Sequence, residues 1–143
     1  MFKGMIVALV ALVVGFAILG ADTQPVVKKV SPTPTSPASG QEMFKAYCAV
    51  CHGTDAKGGG PAANAMKVPP ADLTQLASKN GGRFPELKVY GIIHGDAEMP
   101  TAHGSKDMPV WGNVFQSMSR DNGAGMQQRV ANLTAYIKSL QAK

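Results

Sequence analysis

The chain holds only two cysteines, separated by two residues and followed at once by a histidine: Cys48-Ala49-Val50-Cys51-His52. Two thiols and an imidazole at this spacing can close a disulfide or run a thiol redox couple, share a zinc ion with further donors, or hold a haem covalently. Cys-x-x-Cys-His is the c-type haem attachment pattern, and its geometry has a reason. Positions three and four apart share one face of a helix, so both thiols can reach the two vinyl groups while the imidazole turns up under the iron. The thiol redox pair belongs in a strand-helix context, which this sequence lacks. A zinc site would have to recruit His94 and His103, whose spacing is wider than the three to five residues usual between such ligands. The expectation is one covalent haem c bound through Cys48 and Cys51, with His52 as an iron ligand.

The elements that must position this triplet read as helical. Residues 41–50 suit a helix with Phe44, Tyr47 and Cys48 near one side. Residues 52–70 contain Gly53, Gly58, Gly59, Gly60, Pro61, Pro69 and Pro70, which predicts a long loop with one turn around 62–66. Gly58-Gly59-Gly60 follows no strand and precedes no Lys-Ser/Thr pair, so it reads as slack beside the site and not as a phosphate cradle. Asp72 suits the N-cap of a short helix over 73–77, ahead of an Asn80-Gly81-Gly82 turn. Pro85 opens a helix over 86–94 expected to bury Leu87, Tyr90 or Gly91, and Ile93 or His94. Residues 95–125 read as loop with a short helix around 114–119. Met126, Val130, Leu133, Ile137 and Leu140 recur at steps of four and three, the stripe of a terminal helix. No stretch alternates with period two. The fold class is therefore all-α, short helices and long loops around something large and apolar, and one haem would serve as that centre.

Three regions divide the chain. Lys3 followed by an apolar run over 5–19 marks residues 1–21 as an export signal or an N-terminal membrane anchor. The run over 4–21 approaches the roughly 18–20 residues that span a bilayer, and Leu19 is bulky where cleavage wants a small residue. Both outcomes stay open, and both put the remainder outside the cytoplasm. Residues 22–39 alternate prolines (Pro25, Pro32, Pro34, Pro37) with serines and threonines, the composition of a semi-rigid linker rising about 3 Å per residue. Residues 40–143 make the domain. Lys and Arg number 14 against 9 Asp and Glu but are scattered singly, which argues against nucleic-acid binding. Lys57, Lys67 and Lys106 read as solubilising charge or as a weak basic rim toward an acidic partner.

Residues 40–143 resemble the class I cytochrome c family, which is small, helical and monohaem. Gly40, Phe44 and Cys48 resemble the glycine and aromatic of that family's first helix, which crosses a last helix bearing residues like Leu133, Tyr136 and Ile137. Gly60-Pro61 is similar to the family's Gly-Pro loop, whose proline carbonyl accepts the hydrogen bond of the ligand imidazole; the resemblance thus implies that role for Pro61. It also implies a loop methionine opposite the histidine. Five methionines follow His52. Met126 belongs to the terminal stripe, Met118 lies between serines, and Met66 follows the motif closely enough to fall on the histidine side. Met99 and Met108 both precede a proline, which keeps a residue out of helical geometry. Met108-Pro109-Val110-Trp111 supplies an apolar sequel able to seal a haem face, with Trp111 against the cofactor, whereas Met99 stands among Asp96, Glu98 and Thr101. Met108 is the expected ligand, with Met99, His103 or His94 as alternatives.

Such a resemblance implies electron transfer by one haem c with His/Met ligation, and no enzyme activity. Redox proteins such as a respiratory complex, an oxidase or a dehydrogenase would be the partners, met in the periplasm or on the outer face of the cytoplasmic membrane. The alternative is a peroxide-reducing haem enzyme or a gas sensor. That would need an open or labile sixth position, and His103 is the one nearby acid-base group that sequence offers.

Overall fold

A computed structural model describes residues 32–96, 108–119 and 123–142. The expected leader, together with Met99, His103 and Lys106, lies outside the described residues. Residues Ser31–Lys143 make one compact unit. Among the described residues every regular element is helical, as expected of an all-α fold, and no helix is long and apolar enough to cross a membrane.

The first helical stretch has three parts. Helix α1 is Gly40–Met43, capped by Ser39, whose hydroxyl accepts from the Glu42 amide at 3.1 Å. A π-helical turn, Phe44–Cys48, follows, in which the Ala49 amide reaches five residues back to the Phe44 carbonyl. Helix α2, Ala49–His52, completes it and carries Cys51 and His52. Single 3-10 turns occur at Ala63–Ala65, Leu73–Gln75 and Ser78–Asn80. Helix α3 is Glu86–His94, α4 is Trp111–Met118 and α5 is Ala124–Ser139.

Helix α5 is the axis of the packing, contacted by α1, α3 and α4. Its stripe lies where periodicity put it: Val130, Leu133 and Ile137 are buried, while Met126 and Leu140 pack on the rim of the core. Phe44, Phe115 and Met43 fill the space opposite. Each such side chain removed from water contributes about 1.5–3 kcal/mol. Gly40 sits where α1 crosses α5, and a Cβ there would overlap the Asn132 carbonyl oxygen and the Tyr136 side chain. Phe44 and Tyr136 meet beside it with ring centroids 5.5 Å apart.

Two sequence expectations fail in instructive ways. Helix α3 buries Val89 and Ile93, whereas Leu87 is 88% exposed. Leu87 lies two residues before Val89, roughly 200° round the helix at 3.6 residues per turn, so the face that meets α5 carries it outward. The linker expected up to residue 39 also gives way early to packed backbone. Tyr47 donates its hydroxyl to the Thr33 carbonyl and lies 2.9 Å from the Thr35 hydroxyl. The Arg129 guanidinium donates to Thr35 Oγ1 at 3.0 Å and to the Thr35 carbonyl at 2.9 Å, and Asn132 donates to the Pro37 carbonyl at 2.9 Å. Residues 33–37 therefore form a strap across α5. The buried Arg129 also lies over the Phe115 ring, 5.9 Å from its centroid.

Candidate functional site

Helix α2 stops at His52 because Gly53 takes a positive φ of 77° and turns the chain away. Its terminal carbonyls would be orphaned, and the next loop satisfies them in reverse order. The Gly58 amide donates to the His52 carbonyl at 2.7 Å, the Gly60 amide to Cys51 at 3.0 Å and the Ala62 amide to Val50 at 2.9 Å. The glycine run is thus fitted to the site and not slack. At Gly60 a Cβ would come within 2.5 Å of the Val50 carbonyl oxygen and 2.6 Å of that of Ala49, whereas one at Gly59 would meet nothing within 4 Å.

The end of α2 opens into a cleft of about 1130 Å³, part of it open to solvent. Cys48, Cys51 and His52 form one side; Leu73, Leu76, Val89, Ile92 and Ile93 form an aliphatic wall; Met108 and Trp111 supply another part of the lining. Among the described residues no acidic residue, lysine or arginine lines it. Trp111 stacks on Tyr47 at 5.4 Å and lies 5.7 Å from Phe115.

This donor set fits a covalently held haem and does not fit its competitors. Neither cysteine is in a disulfide. Burial, and secondarily the neighbouring Cys51, push the Cys48 thiol up to about 12. A redox thiol pair requires the reverse, a depressed pKa that supplies thiolate. Among the described residues no group of three or more His, Cys, Asp or Glu side chains could hold a metal ion. His94, a candidate zinc donor and alternative iron ligand, faces elsewhere: its Nδ1 is 2.7 Å from Asp96 Oδ2 and its ring stacks on Tyr90 at 5.7 Å.

His52 Nδ1 donates to the carbonyl of Ala71 at 2.9 Å. That bond fixes the ring and leaves the Nε2 lone pair as the metal-binding one. The role implied for Pro61 thus falls to another residue. Pro61 is exposed and outside the lining, because the amides of Gly60 and Ala62 tie this part of the loop beneath α2. Pro69 and Pro70, which keep the backbone before Ala71 extended, carry the chain past the imidazole. Met66 also lines the cleft. Residue-type reasoning missed the Ala71 acceptor; the one available signal was the Pro69-Pro70 pair.

A model of the family described as cytochrome c oxidase, cbb3-type, subunit III matches residues 35–137, well over half of the chain. The chain belongs to that family. It is thereby a monohaem c-type cytochrome with haem c as its iron cofactor, covalently held, and its work is haem-based electron transfer. The matched span begins within the strap and ends in α5, so the cytochrome family and the packed unit cover nearly the same residues. No curated protein and no solved structure matches the cytochrome's chain.

Proposed function

We propose that this cytochrome passes single electrons between extracytoplasmic redox proteins, with haem c attached at Cys48 and Cys51 and its iron ligated by His52 and Met108. The observation that carries the reading is that His52 and Met108, from segments far apart in sequence, line one apolar cleft with both cysteines. Met66 shares the cleft but precedes the segment that runs to Ala71, the residue hydrogen-bonded to His52. That connection argues for the histidine side. Met108 comes from the separate segment that leads into α4 and carries Trp111 behind it.

When bound, haem c supplies a ferric/ferrous couple. The chain's own residues do the rest. His52 is oriented by Ala71, and a thioether from Met108 favours the ferrous state relative to harder donors. The aliphatic wall excludes water, and Tyr47 and Trp111 close the aromatic side. With His52 and Met108 both given to the iron no substrate would reach it, and the cytochrome would serve as a carrier or relay and not as an enzyme. The name of its family points to a respiratory oxidase as partner, with another respiratory complex or a dehydrogenase on the donor side. Residues 1–21 would export the domain and, if retained, hold it to the membrane through the proline-rich stretch. Trp111 contributes packing against the cofactor.

The ligand assignment is tested by three variants. Met108→Ala should abolish the weak long-wavelength sulfur-to-iron band of the oxidised protein, lower the midpoint potential and admit carbon monoxide to the reduced iron. Met66→Ala and Met99→Ala should leave all three unchanged. If either of those gives the losses and Met108→Ala does not, the ligand is the other methionine. If none does, the ligand is not one of these methionines, and a histidine or an open position, with the sensor or peroxide-reducing role that an open position allows, takes the place of Met108.

A further inference from the structure

Gln141 lies just beyond the end of α5, and its side chain is committed entirely to backbone. Its Nε2 donates to the Leu73 carbonyl at 2.8 Å and to the Ile137 carbonyl at 2.9 Å, and its Oε1 accepts from the Ala77 amide at 2.8 Å. Leu73 and Ala77 are four apart, so their carbonyl and amide are the pair that would close an α-helical turn on each other. The Gln141 amide is spliced between them. This explains why the short helix expected over 73–77 is a 3-10 turn, Leu73–Gln75. The next residue adds to the clamp, the Ala142 amide donating to the Thr74 carbonyl at 2.9 Å.

The clamped segment bears on the iron-ligand side of the cleft twice over. Leu73 and Leu76 belong to the aliphatic wall, and Ala71, two residues before the clamp, accepts the His52 Nδ1 proton. Between them the Leu73 amide donates to the carbonyl of Ala56 at 2.8 Å. Ala56 is fully buried, with a positive φ of 62°, in the loop that caps α2. The 71–77 segment is therefore held twice: by the α2 loop at the Leu73 amide, and by Gln141 at the Leu73 carbonyl and the Ala77 amide.

We infer that Gln141 is a positioning residue for His52: by holding residues 73–77 apart it sets the Ala71 carbonyl against the imidazole and so tunes the ligand. This rests on His52 being the axial ligand. A firm Nδ1–H···O bond makes the ring a stronger donor and favours ferric iron. Loosening it raises the potential and exposes the Nδ1 proton to exchange.

The test uses the haem-loaded full chain. In the reduced wild type the His52 Nδ1–H resonance is followed by NMR during exchange into deuterium oxide, and the midpoint potential is measured in parallel. Gln141→Leu, which can neither donate nor accept, should exchange about tenfold faster and show a raised potential, as fits the loss of hydrogen bonds that hold the acceptor. Gln141→Glu keeps an acceptor for Ala77 but loses the donor to Leu73 when ionised, and should fall between. It carries the same test if the leucine variant does not fold. Unchanged exchange and potential in the folded variants, even with lower stability, would make Gln141 structural only and overturn the inference. Absence of any haem-shifted imidazole Nδ1–H resonance in the wild type would instead overturn the ligand assignment beneath it.

Discussion

The Ala71 carbonyl oxygen stands 2.9 Å from His52 Nδ1, 19 residues along the chain. Backbone bonds before and after Ala71 bring the two together. Loop amides tie residues 58–62 under α2, Pro69 and Pro70 stretch the return, and Asp72 and Gln141 fasten residues 73–77 beyond it. A c-type cytochrome needs its imidazole held in one orientation, and here a loop does it with backbone groups.

The neighbouring glycines 59 and 60 separate a required glycine from a tolerant one. Gly60→Ala would drive a methyl into the carbonyls of Ala49 and Val50. It should cost the holoprotein about 1–3 kcal/mol, the range for overpacking a site that cannot yield. Gly59→Ala meets open space and should stay within about 0.5 kcal/mol of wild type. Denaturant unfolding followed at the haem absorbance distinguishes them; equal losses would mean that the loop does not hold its place under α2.

The strap makes residues 33–37 part of the folded unit. Thr35→Val removes the hydroxyl that accepts from the buried Arg129 guanidinium at 3.0 Å and contacts Tyr47. Leaving a buried donor unsatisfied costs about 1–3 kcal/mol. A chain beginning at Ser31 should match the full chain in unfolding midpoint, whereas one beginning at Gly40 should be less stable than Thr35→Val. A Gly40 start as stable as the full chain would show that the strap contributes nothing.

Asp72 gives a pH dependence of known sign. Its carboxyl is held below the usual carboxylate range, first by the Thr74 hydroxyl, which donates to it at 2.6 Å, and also by the Thr74 amide and by Lys79 and Lys57. A carboxyl with a depressed folded-state pKa contributes stability that is present above its unfolded value near about 4 and is lost as pH falls through the folded one. Asp72→Asn keeps a capping acceptor and loses the charge. Its deficit against wild type should therefore be largest near neutrality and shrink toward pH 3, as read from urea midpoints. A deficit independent of pH would show that the Asp72 charge contributes nothing to stability.

How much of this was legible in advance depended on whether a feature is written in residue types. The Cys48-Ala49-Val50-Cys51-His52 pattern is written that way, and so are the Val130-Leu133-Ile137 stripe and the Pro85 start of α3. The Ala71 acceptor is a backbone oxygen, which alanine does not advertise. Leu87 fitted one apolar face of α3 as well as Val89 fitted another, and only the position of α5 decides between them. Thr35 and Pro37 fell within the expected linker, and nothing in residue type singled out Arg129, because each gains its meaning from a partner about 90 residues away.

In the proposed ligation His52 and Met108 would close both iron positions and leave the haem only electrons to exchange. Spectroelectrochemical titration of the purified holoprotein, with and without carbon monoxide, tests it most directly. A single one-electron wave is expected, with midpoint and reduced spectrum the same in both conditions. A reduced spectrum altered by carbon monoxide, with the midpoint shifted upward, would show an open sixth position and contradict it.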